Sequence, residues 1–336
     1  MSRSITELIE QEFPGKRIVV IGDAVADQYL SGTISRISRE APVFIVDHDR
    51  TETLPGGAAN AAANLAALGA DPIMIGVVGN DAAGEELRRS LEALNVATEM
   101  LVVAPSRRTT AKLRVLAGQQ YAPRQQVIRI DTAASEPLEE EITDRLIERL
   151  TRVADTAAGI IVSDYNYGVV SPQVFESAKS LAAEAGIPLI VDSRFGIRKF
   201  PGATAATPNR EEAEAAIGTA ATGDACEALR AELGHDTLLV TLGSEGMLLC
   251  EKEKAPEHLP AVGSRQPIDV TGAGDTVIAA YTLALASGMS HRQAAEAANH
   301  AGGLVVMKRG TAVVSLEELR RSFSGPAMET ATAATD

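Results

Sequence analysis

Hydrophobic positions along the chain fall into short unbroken runs, separated by longer stretches in which they recur every three or four residues. Residues 16–22 (Lys-Arg-Ile-Val-Val-Ile-Gly) form one such run, and 73–78, 159–163, 188–191 and 237–242 form others. Continuous apolar runs of this length read as strands buried on both faces of a parallel sheet. Between them the spacing predicts helices: one entered through Pro55-Gly56-Gly57 and stopped at Gly69, and one carrying Leu87, Leu91 and Leu94. Further helices are expected over 138–153, 172–185, 277–286 and 290–308, with 247–250 pairing back as a strand on 237–242. Residues 109–116 and 126–131 alternate instead, which predicts half-exposed strands joined by a turn over 121–124. A short strand over 43–46 follows an Arg-rich segment that reads as an exposed loop. Strand followed by helix, repeated without an internal repeat, predicts a doubly wound α/β sheet.

Composition narrows the function classes. The chain has 336 residues, 45% hydrophobic and 23% charged, enough for one large α/β domain or two smaller ones. No apolar run reaches membrane-spanning length, and residues 1–12 are polar and acidic, unlike a signal peptide. Two cysteines cannot build a disulfide framework, so a reducing cytoplasm is the expected setting. A net charge of −14 argues against nucleic acid and anionic membranes as partners. It leaves room for a phosphorylated small molecule held by a local cluster of Lys and Arg. Aromatic residues make up 3% and Trp is absent, which disfavours broad base-stacking surfaces.

The densest chemistry lies at Asp269-Val270-Thr271-Gly272-Ala273-Gly274-Asp275-Thr276, just before the Ala-rich helix. Gly272 and Gly274 allow a tight turn and close approach to a ligand, and the amides of a helix N-terminus can hold an anion. A carboxylate at Asp275 would repel a resident phosphate. It makes sense if it takes a proton from an attacking hydroxyl while the amides hold the phosphoryl group in transfer. An N-capped helix after a Gly-rich turn accounts for the same residue types. Asp23 and Asp27 follow the first strand, at the sheet end where α/β proteins bind ligands, although carboxylates there also cap turns. No Walker-type Gly-x-x-x-x-Gly-Lys-Ser/Thr is present, so any nucleotide is held by another device.

The string at 269–275 resembles the second signature of the ribokinase-like (PfkB) carbohydrate kinases, Asp-Thr-x-Gly-Ala-Gly-Asp, with Val270 in place of Thr. Gly56, Gly57, Asn60, Asn64 and Gly69 are similar to the first signature. The resemblance spans residues 16–323 and implies a ribokinase-like doubly wound, mostly parallel sheet flanked by helices, with a small β-sheet lid. Here the lid would comprise segments about 33–46 and 108–131 of a single domain 1–325, followed by a frayed tail, 326–336. It also implies Asp275 as catalytic base, Gly272, Ala273 and Gly274 as the anion hole, and Asp27, Gly56, Gly57 and Asn60 on the sugar. Asn209 and Glu212 match an Asn-x-x-Glu motif that holds Mg²⁺ and phosphate through water, though they read equally as a helix cap and first turn. Thr241, Gly243, Ser244 and Gly246 resemble the nucleotide-contacting turn, and Asn299 a position beside adenine. Asp269, Thr271 and Gly310 resemble a monovalent-cation site, implying K⁺. His300 is given no role, and residues 79–84 are read as structural.

Within that family, Ser-Arg-Ile-Ser-x-Glu-Ala-Pro-Val at 35–43, Lys-Leu-Arg-Val at 112–115 and Ile-Arg-x-Asp at 128–131 are similar to the D-glycero-D-manno-heptose 7-phosphate kinases. Those kinases carry Ser-Asp-Tyr-x-Lys-Gly where this chain has Tyr167 in place of the Lys. The implied reaction is ATP-dependent phosphorylation of the anomeric hydroxyl of D-glycero-β-D-manno-heptose 7-phosphate to the 1,7-bisphosphate, in a cytoplasmic homodimer joined through the lid. Some members carry a fused nucleotidyltransferase domain, which this chain is not expected to contain. A phosphorylated sugar needs a basic clamp away from the base, and Arg36, Lys112, Arg114 and Arg129 are the candidates. The same charges also protect exposed strand edges. Two alternatives stand beside this reading. A kinase for an unphosphorylated sugar or nucleoside would leave Lys112, Arg114 and Arg129 without an anion. A sugar- or nucleotide-binding regulator without catalysis would have no need of the intact Gly272–Asp275 device.

Overall fold

The computed structural model describes residues 3–119, 123–133, 137–264 and 266–324. In chain order these form α1 (Ile5–Glu12), β1 (Arg17–Gly22), β2 (Ala24–Ile37), β3 (Phe44–Gly57), α2 (Ala58–Ala67), β4 (Asp71–Gly79), α3 (Ala82–Ala93), β5 (Leu101–Ala104), β6 (Ala111–Gly118) and β7 (Gln125–Thr132). There follow α4 (Glu140–Ala154), β8 (Gly159–Asp164), α5 (Pro172–Ala185), β9 (Leu189–Ser193), β10 (Ala205–Ala206), α6 (Arg210–Ile217), α7 (Gly223–Leu233), β11 (Thr237–Thr241), β12 (Met247–Glu251) and β13 (Glu257–Leu259). The chain closes with α8 (Ala273–Ala286), α9 (His291–Val305) and α10 (Leu316–Ser324).

Among the described residues the main sheet has nine strands in the order β13-β12-β11-β10-β9-β8-β1-β4-β5. Every pairing from β5 to β11 is parallel, and β12 and β13 add antiparallel to that edge. Because β1 is buried on both sides, its alternate residues serve two cores. Ile18 and Val20 pack with α1, α2, α3, α8, α9 and α10, whereas Val19 and Ile21 pack with α4, α5, α6 and α7. The chain winds outward from β1 through β4 to β5, then returns to β8 on the other side of β1. The switch point therefore lies between β1 and β8, and ligands of such sheets bind at the carboxyl ends of the strands flanking it. No helix among the described residues is long and apolar enough to cross a membrane.

A second sheet, in the order β3-β2-β6-β7, grows directly out of the carboxyl end of β1. It is larger than the alternation in the sequence indicates. The Arg-rich stretch expected to be a loop is the far end of β2, a strand of 14 residues that begins right after Asp23. Register shifts at Ser31/Gly32 and Ile34/Arg36 break the period-two pattern that would have revealed it. β3 likewise continues to Gly57, so Pro55-Gly56-Gly57 ends a strand and α2 begins at Ala58. The expected turn at Tyr121 and the tail 326–336 lie outside the described residues.

Candidate functional site

α8 is the most enclosed helix near the switch point. Its residues from Asp275 to Ala284 are all buried, and it is apolar on every side. It starts at Gly272, whose φ of 77° is left-handed and whose added Cβ would lie 2.5 Å from Asn60 Nδ2, so glycine is required there. Among the described residues no side chain caps the helix, and the Ala273 amide is committed to the Val270 carbonyl at 3.2 Å. At Gly274, an added Cβ would meet no atom of the described residues within 4 Å. The N-terminal turn of α8 thus leaves room beside Gly274, where Ala273 and Gly274 border a cavity, a shape suited to an anion.

Asp275 occupies the first turn, 3% exposed. Its Oδ2 accepts a 2.8 Å hydrogen bond from Asn60 Nδ2, and its Oδ1 accepts one of 2.8 Å from the Tyr165 hydroxyl. Burial pushes the carboxyl up to about 6, with the Asp27 carboxylate adding to the rise; the bonds from Asn60 and Tyr165 and the Lys112 ammonium oppose it. A buried carboxylate brought close to neutrality in this way is suited to proton transfer. Asn60 is fixed in turn: Asn64 Nδ2 donates to its backbone carbonyl at 3.0 Å, and the Thr276 hydroxyl donates to Asn64 Oδ1 at 3.0 Å. The N-terminal turns of α2 and α8 are therefore stitched together around the carboxylate.

The small sheet supplies the other wall. Asp27, buried on β2, accepts a 2.7 Å charged hydrogen bond from Arg114 of β6. A Cβ on Gly56 would come within 2.6 Å of Asp27 Oδ2, and one on Gly57 within 2.7 Å of the Asp23 carbonyl, so both glycines let β3 close against β2. Lys112 and Arg114 stand opposite Asp131 and Arg129 of β7, placing the four side chains on one face. The Lys112 ammonium is 5.6 Å and 5.8 Å from the ring centroids of Tyr165 and Tyr167. Arg129 is exposed and pairs with Asp131. Arg36 does not join this group. It pairs across from Ile45 near the exposed end of β2, nine residues from Asp27 and so roughly 30 Å away along the strand.

On the other side of the α8 N-terminus lies a mostly apolar cavity of about 180 Å³. Thr241, Gly243, Ser244, Gly246 and Asn299 line it together with Gly274, so the expected nucleotide residues converge on the same helix end as Asp275. Asn299 also donates to the Pro260 carbonyl at 2.8 Å. Asn209 and Glu212 form a reciprocal capping box at the start of α6, with Asn209 Oδ1 accepting from the Glu212 amide and Glu212 Oε2 from the Asn209 amide, both 2.9 Å. Glu212 is nonetheless held above the usual carboxylate range by burial, and Asp192 is pushed well up by burial and by Glu212. Among the described residues, no three acidic, His or Cys groups cluster as a metal cage. Asp269 draws its neighbours together: its carboxylate accepts from the Thr271 and Gly310 amides, each at 2.9 Å.

A scan against protein families matches residues 16–319 to the pfkB family carbohydrate kinase model. The chain belongs to the pfkB carbohydrate kinase family. It is therefore a phosphotransferase with an alcohol group as acceptor. This pfkB kinase is 41% identical over 318 residues to the bifunctional protein HldE of Caulobacter vibrioides, covering 93% of this chain and 64% of that protein. It is 40% identical over 319 residues to HldE of Gluconobacter oxydans, covering 93% and 65%. The chain thus spans just under two thirds of the length of these relatives. Among solved structures, the Arabidopsis thaliana ribokinase complexed with ribose and ATP superposes with a TM-score of 0.69 at 21% identity, covering 93% of this chain and 99% of that one. Phosphofructokinase-2 of Escherichia coli in complex with substrates and products gives 0.73 at 20% identity, with 92% and 98% covered. These likenesses establish the ribokinase-like fold.

Two residues of this kinase site were not anticipated in these positions. Asp23, 1% exposed, accepts from the amides of Tyr165 (2.8 Å), Tyr167 (3.0 Å) and Val169 (3.1 Å), and so pins the loop after β8. Tyr165 then reaches Asp275. Tyr167, which stands where the resemblance places a Lys, lays its ring beside the Lys112 ammonium. His300 stacks on Phe323 at 3.9 Å and bonds to Ser322, in keeping with a packing role. Asp81 caps α3 through the Gly84 amide and holds Thr109, which accounts for residues 79–84 structurally.

Proposed function

We propose that this kinase uses ATP to phosphorylate the anomeric hydroxyl of D-glycero-β-D-manno-heptose 7-phosphate, giving the 1,7-bisphosphate. The observation that carries the reading is Asp275: a buried carboxylate on the first turn of α8, between the apolar cavity and the basic face of the small sheet. ATP would lie in the cavity with its phosphates reaching the helix end. The sugar would lie between Asp27, Gly56, Gly57 and Asn60, with its acceptor hydroxyl on Asp275. As the phosphoryl group moves, Asp275 takes the hydroxyl proton, and the amides of the Gly272–Gly274 turn stabilise the charge on the phosphoryl oxygens. Lys112, Arg114 and Arg129 would draw the substrate's own phosphate to the far end of the sugar.

Mg²⁺ would neutralise charge on the ATP phosphates, positioned through water by Asn209 and Glu212. The donor set fits it: burial raises the proton affinity of both Asp192 and Glu212, and Glu212 adds to the rise at Asp192, an environment that a cation would relieve, and Mg²⁺ needs few direct protein ligands. Asp269, Thr271 and Gly310 fit a K⁺ ion beside the anion hole, since they are already drawn together and offer oxygen donors. We further propose a homodimer formed through the small sheet. Ile128 and Ile130, 53% and 51% exposed, alternate with Arg129 and so form an apolar outer face. Two buried free cysteines suit a cytoplasmic setting.

A second reading, a kinase for an unphosphorylated sugar, is favoured by the fact that Arg114 is engaged by Asp27 and Arg129 by Asp131. The test of the base itself is Asp275→Asn. Turnover is expected to fall by at least about 10²-fold with ATP affinity retained. Near-normal turnover would remove Asp275 from that role.

A further inference from the structure

The loop that follows β8 is bound at more points than a connection requires. Asp23 takes its amides at residues 165, 167 and 169, the Tyr167 carbonyl accepts from Arg107 at 3.1 Å, and Asp164 Oδ1 accepts from the Asn166 amide at 2.9 Å. Asp164 Oδ2 also accepts from the Ser193 hydroxyl at 2.8 Å, tying the loop to β9. What this loop presents to Asp275 is the phenol of Tyr165. The Tyr165 hydroxyl makes its hydrogen bond to Asp275 Oδ1, and packing alone would be served as well by phenylalanine. An ionised carboxylate can only accept, so the direction of that bond is fixed.

Building on the assignment of Asp275 as base, we propose that Tyr165 is its positioning residue. With Asn60 on Oδ2 and Tyr165 on Oδ1, the carboxylate is held in one rotamer, and the lone pair left on the open side is turned to the sugar hydroxyl. The phenol also favours the ionised form, so it sets the pH above which the base works. The other groups facing Asp275 are Asn60 from α2, Asp27 from β2, Lys112 from β6 and Asp192 from β9. Of these, Asn60 is neutral, Lys112 favours the ionised form, and Asp27 and Asp192 oppose it. None is removed by a change at Tyr165.

The test is the pH profile of kcat for the full chain and for Tyr165→Phe, from about pH 5 to about pH 9. Loss of one hydrogen bond to a charged group is expected to move the acid limb up by about one pH unit, with the KM for ATP unchanged. Replacing the five tyrosines with 3-fluorotyrosine strengthens the donor while keeping every ring, and should move the same limb down. An acid limb that stays in place, with kcat lowered equally at every pH, would reduce Tyr165 to packing and overturn the proposal. The carboxyl titration of Asp275 by ¹³C NMR, assigned with Asp275→Asn, separates this outcome from failure of the enzymatic reading. An upward shift in Tyr165→Phe upholds the positioning bond even if no sugar is turned over, and identical titrations in both proteins reject it.

Discussion

Asn60 Nδ2 lies 2.8 Å from Asp275 Oδ2, joining the first turns of two helices that stand 215 residues apart in the chain. A neutral donor here matters because Asp275 already carries the cost of burial. Asn60→Asp would place a second carboxylate against it, and one of the two would hold a proton near neutral pH. A loss of about 10²-fold in kcat is expected. The milder Asn60→Ala should cost about 1–3 kcal/mol of stability, since it leaves the buried Asp275 Oδ2 without its donor and removes the 3.3 Å bond from Asn64 Nδ2 to Asn60 Oδ1. Steady-state kinetics with thermal melting would separate the two effects.

Asp275 should be bought at a cost in stability. Its carboxyl titrates at about 6 in the fold against an ordinary 3.8, so the folded state binds the proton more tightly than the unfolded chain does. The sign follows: stability falls as pH rises from about 4 to about 6, then levels off. Asp275→Asn escapes that loss, because the Tyr165 hydroxyl can rotate to accept from the new amide. The variant is expected to be more stable than the parent by on the order of 2 kcal/mol above pH 6 and to converge with it below about pH 4. Denaturant titrations at both pH values check the crossover.

Gly272→Ala tests the anion hole by geometry rather than charge. The new Cβ would need a φ of 77° and would lie 2.5 Å from Asn60 Nδ2, which cannot move without releasing Asp275. A destabilisation of about 1–3 kcal/mol together with near-complete loss of phosphoryl transfer is expected. Retained activity would show that the turn does not need this conformation.

The two arginines opposite one another on β6 and β7 should behave differently. Arg114→Ala leaves the Asp27 carboxylate buried without its partner, so kcat/KM should drop about 10²-fold or more for any sugar. Arg129 is exposed and pairs with Asp131, so Arg129→Ala should raise KM about tenfold for a phosphorylated sugar and leave a free sugar unchanged. Equal effects of Arg129→Ala on both substrates would remove it from the clamp.

If the small sheet joins two protomers, Ile128→Glu with Ile130→Glu should halve the mass measured by light scattering, because paired buried charges at an apolar interface are unfavourable. A parent protein that is already monomeric at working concentration would dispose of the dimer.

The main sheet was legible because β1, β4, β8 and β11 are unbroken apolar runs, and Asp27, Asn60 and Asp275 stood in short motifs whose local chemistry could be read. Other features resisted for physical reasons. The bulges in β2 hide its alternation, so the pattern around Arg36 reads as a loop, whereas Arg36 lies near the exposed end of the strand. The short strand β5 and the helices α1 and α7 carry weak apolar signals that only tertiary packing resolves. Asp23 and Tyr165 were invisible as a unit, since the contacts that define them span 142 and 110 residues and one of them uses backbone amides. Arg114 read as a free cation because its partner Asp27 is 87 residues away.

The central claim is most directly tested by ³¹P NMR of the full chain with ATP, Mg²⁺ and K⁺, offered D-glycero-β-D-manno-heptose 7-phosphate and, separately, unphosphorylated sugars. The account predicts a second phosphate at the anomeric position of the heptose 7-phosphate, formed with a kcat/KM well above that for any free sugar. A preference for a free sugar would keep Asp275 as the base and contradict both the substrate and the basic clamp.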